Sequence, residues 1–493
     1  MKILFVDIDS LRPDHLGCYG YLRNTSPNMD RLANMGVRFE NVYISDSPCL
    51  PSRTALWSGQ HGFRTGVVGH GGHAAVPFSE GAKRGFRDKF YSDGWMKALR
   101  DAGHLTATIS SFGERHSAWH WYAGFNEVIN PGLLGMERAD QVVPLAIEWL
   151  TRRARNVPNW FLHVNLWDTH TPYRAPTSFG EPFIGEPAPG WLDEVVLARF
   201  RASFGPHSAR EPTGFDARGD PAFPRQPGPI ESLANAAAWW NGYDTGLRYL
   251  DDWLGRLFET LEEIGLAAET TIVISADHGE NLGELNVWAD HQTADQLTHR
   301  VPLIVYLPNH PGNGRVDRAL HYQFDWAATL VELSGGHVPE AWDGASFAAP
   351  FMDGSEAGRE HLILSHGAWS CQRGIRFSQD GRDFLLIVTY HDGYKDFPQL
   401  MLYELSTDPH QLTNLADVRP DLVTRAMAAL ARWLIDMMFR SESDTDPLMS
   451  VLREGGPFHC RGELPAYLRR LKQTGRERCA RVLAARHPGE LAS

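Results

Sequence analysis

The chain has few cysteines and none of the spacings that hold a disulfide framework or a zinc knuckle. Its five cysteines in 493 residues are an odd number and lie far apart: Cys18, Cys49, Cys371, Cys460 and Cys479. Disulfide scaffolds and zinc sites both need clustered cysteines. The sequence therefore predicts neither, and any cysteine with a role has to act alone.

Long hydrophobic runs and an excess of positive charge are also missing. No apolar stretch reaches the roughly 20 residues of a membrane-spanning helix. An apolar strand pattern begins at residue 3, so we expect no secretory leader, no membrane contact and a cytoplasmic location. The 47 Lys and Arg against 60 Asp and Glu give a net charge of -13, which argues against nucleic acid as a partner.

Short apolar runs recur between helical patterns, at residues 3–8, 105–109, 160–164, 271–275 and 303–306. Runs of this length predict buried parallel strands in an α/β fold with a helix-covered sheet. After about residue 360 the pattern changes to hairpin-like alternation, and from residue 444 it becomes helical. We therefore predict a catalytic α/β domain at 1–360 and a smaller α+β domain with a helical tail at 361–493.

Two helices and one irregular region are readable between these runs. Ser26 is a natural cap and Pro27 suits a first helical turn, which predicts that a helix begins there. Apolar residues from Tyr243 to Ile264 recur at three- and four-residue spacing, which predicts a helix that packs on the sheet. Residues 174–229 are rich in Pro, Gly, Arg and Asp with little periodicity, which is typical of a long surface insertion.

Polar clusters follow most of the predicted strands: Asp9, then 114–116, then 168–170, then Asp277 and His278. Ligands of open α/β sheets bind at the carboxyl ends of the strands, so we expect these clusters to meet in one crevice. Carboxylate oxygens from distant parts of the chain suit calcium or magnesium better than zinc.

The segment Cys49-Leu50-Pro51-Ser52-Arg53 resembles the site at which type I sulfatases carry their nucleophile. A small buried cysteine before a helix is the ordinary alternative. In that family, which belongs to the alkaline phosphatase superfamily, the cysteine is converted to formylglycine, whose hydrate provides a geminal diol. The resemblance implies that Cys49 is a precursor of formylglycine and that a formylglycine-generating maturation enzyme is a partner.

The resemblance extends over most of the chain. It includes residues 11–20, 249–252, 277–280 and 301–304, and a segment near residues 402–416 that is similar to the family's carboxyl-terminal strand and turn. The implied fold is an alkaline-phosphatase-like sandwich with a mostly parallel central sheet and a smaller antiparallel sheet near the C-terminus.

The resemblance also implies a metal site made of Asp9, Asp277, His278 and the modified Cys49. It would hold one divalent cation, with calcium favoured over magnesium. Many sulfatases have two adjacent aspartates at the first position, whereas this chain has Asp9 followed by a serine. Asp7 points to the same side of a strand and is either a replacement ligand or an acceptor for backbone hydrogen bonds; both readings are open.

Arg53 lies one helical turn after Cys49, where it can hold the nucleophile's hydroxyl or a sulfate oxygen. His170 lies in His-Thr-Pro-Tyr, which is similar to a histidine segment of the family. His291 occupies roughly the place of another lysine of the family, and a histidine there can protonate the leaving group near neutral pH. The resemblance thus gives Arg53, His170 and His291 catalytic roles.

Two further positions depart from the family pattern or lie outside it. His116 matches a catalytic histidine, but Glu114 replaces the lysine that precedes it in many sulfatases, which leaves Arg115 as the cation that binds substrate. His70, in Gly-His-Gly-Gly-His, is a candidate for the substrate pocket together with His73. A flexible glycine-rich loop explains these two histidines equally well.

The leading hypothesis is hydrolysis of an aryl, alkyl or carbohydrate sulfate ester. The alternative is a phosphodiesterase or phosphonate monoester hydrolase that uses the same site. Ser52 favours sulfate, because some phosphorus-specific relatives have alanine there. A third hypothesis is a silent binder of sulfated ligands, which requires that Cys49 is never oxidised. A homo-oligomer is an open possibility for the helical tail.

Overall fold

The computed structural model describes residues 1–79 and 89–491. Its strands, numbered in chain order, are β1 Lys2–Ile8, β2 Val37–Tyr43, β3 Asp46–Ser47, β4 Leu105–Ile109, β5 Glu127–Ile129, β6 Trp160–Leu166, β7 Thr270–Ser275, β8 Asn281–Leu282, β9 Trp288–Asp290, β10 Arg300–Tyr306, β11 Val316–Tyr322, β12 His361–His366, β13 Cys371–Gln379, β14 Arg382–His391 and β15 Leu400–Glu404.

The helices are α1 Pro27–Met35, α2 Cys49–Ser58, α3 Gly62–Thr65, α4 Lys89–Asp93, α5 Trp95–Asp101, α6 Phe112–Arg115, α7 Ala139–Arg152, α8 Glu194–Ala202, α9 Leu233–Glu263, α10 Gln296–His299, α11 Gln323–Leu333, α12 Ala348–Asp353, α13 Pro420–Arg440, α14 Pro447–Arg453, α15 Leu464–Gln473, α16 Glu477–Arg486 and α17 Pro488–Leu491. Among the described residues, none of these helices combines the length and the apolar character that a membrane crossing requires.

The larger sheet of the described chain has eight strands in the order β11-β2-β10-β7-β1-β6-β4-β5. Strand β1 lies in its middle and pairs in parallel with β6 and β7. Four of the predicted strands therefore fall on β1, β4, β6 and β7, and the α/β fold class with a mostly parallel sheet is confirmed. Strands this apolar are buried on both faces by helices.

The prediction for residues 303–306 is wrong in direction. Strand β10 is antiparallel to both of its neighbours, β7 and β2. A parallel neighbour of β7 would need a long crossover that returns to the opposite edge of the sheet. Residues 276–299 carry only short elements, so the chain stays at the edge where β7 ends and then runs back.

Helix α9 confirms the predicted apolar stripe and begins earlier than the stripe does. It spans 31 residues, from Leu233, and buries Tyr243, Leu247, Leu250, Leu254, Leu257 and Leu261. At about 1.5 Å per residue such a helix is roughly 45 Å long, enough to cross the whole sheet. It leads into β7, whose end carries Asp277 and His278. The region 174–229 is largely irregular, as predicted, with α8 as its one α-helix.

The smaller sheet has the order β15-β14-β13-β12-β3. Its four C-terminal strands are antiparallel neighbours, and their apolar faces pack against α13. The fifth strand, β3, comes from residues just before Cys49 and pairs in parallel with β12. The predicted smaller antiparallel sheet is thus present, and it holds the segment that leads into α2. The domain division at residue 360 stays a prediction.

Candidate active site

Four polar side chains reach one place because the strands before them are neighbours. Strands β6, β1 and β7 lie side by side and run in the same direction. Asp9 follows β1, His170 follows β6, and Asp277 and His278 follow β7. The carboxyl ends of parallel strands meet at one edge of a sheet, so these residues converge there.

Cys49 is the first residue of α2 and is buried at the same edge. Its Sγ lies 3.2 Å from Nε2 of His278. Burial, reinforced by the charge of Asp9, raises the pKa of the Cys49 thiol to about 12. A thiol that stays protonated at neutral pH is a poor nucleophile. The Cys49 sulfur therefore lies in a suitable position for catalysis, but as a protonated thiol it is not itself an effective nucleophile.

The donor atoms of Asp9, Cys49, Asp277 and His278 all lie within 4.8 Å of one another. His278 Nε2 is 3.3 Å from Asp277 Oδ2 and 3.9 Å from Asp9 Oδ1. Nδ1 of His278 lies 2.7 Å from the carbonyl oxygen of Gly279, which fixes the ring proton on Nδ1 and turns the Nε2 lone pair toward the carboxylates. Lone pairs that face one another in a buried space fit a cation between them.

Proton affinities within this cluster also favour a cation. Burial would raise the pKa of Asp9, but His170, Arg53 and His278 together hold it well below its usual range. Burial raises the pKa of Asp277 well above its usual range; Arg53 opposes the rise and the charge of Asp9 adds to it. Two buried carboxylates that repel each other retain a proton unless another positive charge neutralises them.

The Arg53 guanidinium lies among three carboxylates. Its Nε donates to Asp7 at 2.9 Å, and its Nη1 donates to Asp9 at 3.0 Å and to Asp277 at 2.6 Å. Arg53 is fully buried, and its Nη2 has no hydrogen-bond partner among the described residues. Buried donors in proteins are nearly always paired. This nitrogen therefore fits an oxygen acceptor that the protein itself does not provide.

Asp7 lies beside the donor cluster, and its carboxylate contacts the side chains of Arg53 and His163. Within the described chain it is not a member of the four-residue donor cluster. Besides Arg53, its Oδ2 contacts Nε2 of His163 at 3.2 Å, and Nδ1 of His163 lies 2.9 Å from the Thr108 hydroxyl. The contacts of the Asp7 carboxylate in the described chain are therefore with side chains, Arg53 first among them, and its role as a metal ligand stays a prediction.

The serine that follows Asp9 orients the two carboxylates of the cluster. Its backbone N–H donates to Asp277 Oδ1 at 3.2 Å, and its hydroxyl donates to Asp9 Oδ1 at 3.1 Å. Ser10 has a positive φ of 61°, an uncommon conformation for a residue other than glycine. Ser10, at the position where the resemblance implies a second aspartate, therefore positions the carboxylates of Asp9 and Asp277.

His291 lies beside the cluster, with its ring centroid 4.0 Å from that of His278. Its Nδ1 is 3.0 Å from Oε2 of Glu280, and its backbone N–H donates to Asp290 at 2.7 Å. Burial would lower the pKa of His291, but Asp290, Cys49 and Glu280 raise it well above its usual range. Nδ1 is engaged by Glu280, which leaves Nε2 as the nitrogen that can give up a proton.

His170 and Arg115 face the cluster from the end of β6 and from α6. Nε2 of His170 lies 3.4 Å from Nη2 of Arg115, and Nδ1 of His170 contacts the carbonyl oxygen of Thr171. Burial lowers the pKa of His170 to about 3, against the pull of the Asp9 charge. His170 is therefore a neutral hydrogen-bonding group, and Arg115 supplies the positive charge at this side.

His116 and His70 lie together farther out, with ring centroids 5.0 Å apart. Both are partly exposed, and each has a buried Nε2 without a partner among the described residues. Burial, aided by Arg115 and Arg53, lowers the pKa of His116 well below its usual range. The structure thus brings the predicted residues together at one end of the sheet, except His73, which is exposed and donates its backbone N–H to Glu454; their roles stay predictions.

Sequence reasoning assigned no role to three residues of this site: Glu280, Asp290 and His459. Glu280 stands in the same motif as Asp277, and Asp290 precedes His291, so each had a positional signal. His459 lies in the segment between α14 and α15, and its Nε2 lies 3.0 Å from Nδ1 of His70. Nothing in the local sequence around His459 indicates that contact.

A mostly parallel sandwich that gathers carboxylates, an imidazole and a buried cysteine at its strand ends defines the class of protein. It is the architecture of the alkaline phosphatase superfamily, and the smaller antiparallel sheet beside it completes the likeness. The comparisons with known proteins then give the family.

The family model described as Sulfatase matches residues 2–336, more than half of the chain. A second model, described as N-sulphoglucosamine sulphohydrolase, C-terminal, matches residues 283–435. The chain therefore belongs to the sulfatase family, a family of sulfuric ester hydrolases.

Relatives in sequence and in structure agree with this family. The N-acetylglucosamine-6-O-sulfatase of Bacteroides thetaiotaomicron is 23% identical over 84% of this chain and 82% of its own length. The human iduronate 2-sulfatase is 26% identical over 62% of this chain and 60% of its own. A structure solved with its substrate D-glucosamine-2-N,6-O-disulfate has a TM-score of 0.67 at 20% identity, over 91% of this chain and 99% of that one.

A phosphonate monoester hydrolase of Agrobacterium radiobacter has the same fold. Its TM-score is 0.65 at 19% identity, and the match covers 89% of this chain and 95% of that one. The fold is thus shared by proteins named for sulfur chemistry and for phosphorus chemistry.

Proposed function

We propose that this chain hydrolyses an aryl, alkyl or carbohydrate sulfate ester and that its nucleophile is formylglycine made from Cys49. The observation that carries the proposal is the placement of Cys49, protonated and buried at the start of α2 and within the donor cluster of Asp9, Asp277 and His278. Hydrated formylglycine supplies a hydroxyl nucleophile for covalent catalysis. The proposal requires a formylglycine-generating maturation enzyme as a partner.

One divalent cation belongs to the proposed site. Asp9, Asp277, His278 and the oxygen-bearing group at position 49 would hold it, because their donor atoms already lie together. We favour calcium over magnesium, since calcium accepts irregular oxygen coordination whereas magnesium demands a near-ideal octahedron. When bound, the cation supplies positive charge that offsets the anionic ester.

Arg53 and His291 have the roles closest to the reaction. Arg53 Nη2, which lacks an acceptor in the described chain, donates to an oxygen of the sulfate or of the nucleophile. The start of α2 adds backbone amides that favour an anion. His291 Nε2 gives its proton to the leaving alcohol oxygen, while Glu280 holds the opposite nitrogen of the ring.

The outer side chains bind the substrate in this proposal. Arg115 pairs with the negative charge of the ester, and His170 donates or accepts a hydrogen bond as a neutral imidazole. His116 and His70 lie at the partly exposed mouth, where their Nε2 atoms, unpaired within the described chain, suit hydroxyl groups of the alcohol portion. The charged groups are thus nearer the sulfate and the neutral groups nearer the alcohol.

Phosphodiesters or phosphonate monoesters are the second candidate substrates. A solved phosphonate monoester hydrolase shares the fold, and a multifunctional alkaline phosphatase superfamily protein of Trinickia caryophylli is 24% identical over 84% of this chain. Ser52, which the sequence analysis used to favour sulfate, donates its hydroxyl to the backbone carbonyl of Asp277. That contact orients the backbone next to the donor cluster, and the preference for sulfate that Ser52 indicates stays a prediction.

The deciding experiment compares kcat/KM for an aryl sulfate and an aryl phosphodiester. The protein is coexpressed with a formylglycine-generating enzyme and supplied with calcium, and the mass of the peptide across Cys49 reports its conversion. We expect conversion and a clear preference for sulfate. A preference for the phosphodiester would replace the leading function with the second, and an unconverted cysteine with no turnover would leave a silent binder of sulfated ligands.

We further propose the remaining assignments made from the sequence. The chain divides into a catalytic α/β domain at 1–360 and a smaller domain at 361–493, although β3 of the first part joins the sheet of the second. It acts in the cytoplasm, with small sulfated molecules or glycans and not nucleic acids as partners. Size-exclusion chromatography with light scattering tests whether it is a homo-oligomer.

A further inference from the structure

The last four helices, α14 to α17, form what we call the C-terminal arm, residues 447–491. Neither matched family model extends beyond residue 435. The arm has its own buried cluster, in which Leu464, Tyr467 and Leu471 pack with Phe204 and Tyr394. It is therefore a packed part of this protein outside the region that the family models describe.

The arm lies directly on the glycine-rich segment 69–73. A Cβ added to Gly71 would lie 2.2 Å from the Phe458 ring, and one added to Gly72 would lie 2.1 Å from the Glu454 carboxylate. The backbone N–H of His73 donates to Glu454 at 2.8 Å. These glycines thus permit close approach of the arm, which accounts for a motif that otherwise reads as a flexible loop.

This contact brings His459 of the arm to the mouth of the active site. Its Nε2 lies 3.0 Å from Nδ1 of His70, and its ring stacks on Trp369 with centroids 4.7 Å apart and planes at 22°. Its backbone N–H donates to the carbonyl oxygen of Ala368 at 3.2 Å. His70 in turn contacts His116, so the arm continues a row of imidazoles that starts beside the catalytic cluster.

The row is polar but incompletely paired within the described chain. The Nε2 atoms of His70 and His116 are buried without a partner there. Leaving such an atom unpaired costs free energy, and a hydroxyl group of a ligand removes that cost. Trp369 and His459, both partly exposed, add flat rings at the same place, and flat rings bind other rings by stacking.

We propose that the C-terminal arm completes the substrate site, with His459 and Trp369 as specificity-determining residues that bind a ring-bearing alcohol portion, either a sugar or a phenol. This inference rests on the proposed function, since it concerns the leaving group of the same reaction. Small acyclic sulfate esters do not reach the arm and gain nothing from it.

Docking of the arm is tested first, without any turnover. Gly71→Ala places a methyl group against the Phe458 ring, so limited proteolysis of the full chain should cut residues 447–491 faster than in wild type. Adding Phe458→Ala removes the clash and should restore resistance. An unchanged cleavage rate in Gly71→Ala would overturn the contact on which the inference depends.

The role of the arm in specificity is tested with His459→Ala and a matched arm variant, Arg469→Ala, whose side chain is exposed. For methylumbelliferyl sulfate and for a sulfated monosaccharide, loss of one ring contact should lower kcat/KM by about tenfold, mainly through KM. For choline sulfate, kcat/KM should stay within about twofold. Arg469→Ala should match wild type on all three substrates.

Equal losses on ring-bearing and acyclic esters would overturn the specificity role, because that result reports a structural effect. A loss on the phenol ester alone or on the sugar ester alone would identify which ring His459 and Trp369 bind. If the converted, calcium-loaded protein turns over no sulfate ester, binding of methylumbelliferyl sulfate is measured by fluorescence. Weaker binding by His459→Ala would then support the role of His459 in binding the ring while the proposed function fails. Equal binding, or no binding by either protein, would overturn both this role and the proposed function.

Discussion

Glu280→Gln is the substitution that tests the proposed acid most directly. Glu280 is fully buried, its Oε2 lies 3.0 Å from Nδ1 of His291, and its negative charge helps to raise the pKa of that ring. Glutamine has the same size but no charge. We therefore expect His291 to hold its proton less firmly and to lose the partner that fixes its orientation.

The size of the effect follows from the lost contact. A hydrogen bond to a charged group contributes about 1.5–3 kcal/mol. If this contact keeps His291 protonated and oriented in the free enzyme, its loss lowers kcat/KM roughly 10- to 150-fold for an ester of a poorly acidic alcohol. An ester of an activated phenol needs little protonation, so its kcat/KM should change much less.

The assay is a series of sulfate esters whose leaving alcohols differ in pKa, measured for wild type and Glu280→Gln. A steeper dependence of log kcat/KM on leaving-group pKa in the variant is the expected result. Glu284→Gln is a matched control, because Glu284 is equally buried but accepts hydrogen bonds from Arg12 at 2.9 and 3.0 Å. An equal slope in wild type and Glu280→Gln would refute the reasoning that Glu280 acts through His291.

Three further predictions test other parts of the molecule. Asp277→Ala should abolish both calcium binding in equilibrium dialysis and turnover; retention of both would remove Asp277 from the metal site. Asp7→Asn should lower kcat roughly tenfold or more without loss of calcium, because Asp7 holds Arg53 Nε by a charge-assisted hydrogen bond of about 1.5–3 kcal/mol and lies outside the donor cluster of the described residues; loss of calcium would make it a ligand. In the arm, burial would lower the pKa of His487, but hydrogen bonds to Asp392 and Glu490 raise it to about 9. Because the folded pKa is raised, this stabilisation is complete below the unfolded value of about 6.5 and is lost as pH rises through about 9. The difference in unfolding free energy between wild type and His487→Gln, from urea titrations, should therefore shrink between pH 6 and pH 10; a constant difference would contradict the assignment.

Local pattern explains why much of the fold could be predicted. Buried strands carry unbroken apolar runs, so β1, β4, β6 and β7 are visible in the sequence itself. The direction of β10 was not, because an apolar run has the same pattern in either direction. The start of α1 shows a similar limit: the Ser26 side chain makes no cap, and Asp251 of α9 accepts from the backbone N–H groups of Asn28 and Met29 instead.

The sequence by itself determined which groups could do chemistry. Cys49 and Arg53 lie one helical turn apart, and Asp9, Asp277 and His278 stand directly after strands, so adjacency in the chain fixed their positions. Spacing along a helix or a strand converts directly into distance, and that geometry needs no tertiary information.

Only the tertiary structure decided which of these groups touch residues far away in the chain. Asp7 binds Arg53 instead of joining the donor cluster, and His459 reaches His70 because two glycines let the arm approach. Such contacts depend on how separate elements pack, and many sequences with the same local pattern can pack differently. Their energy comes from burial and pairing across the whole fold, which no short segment encodes.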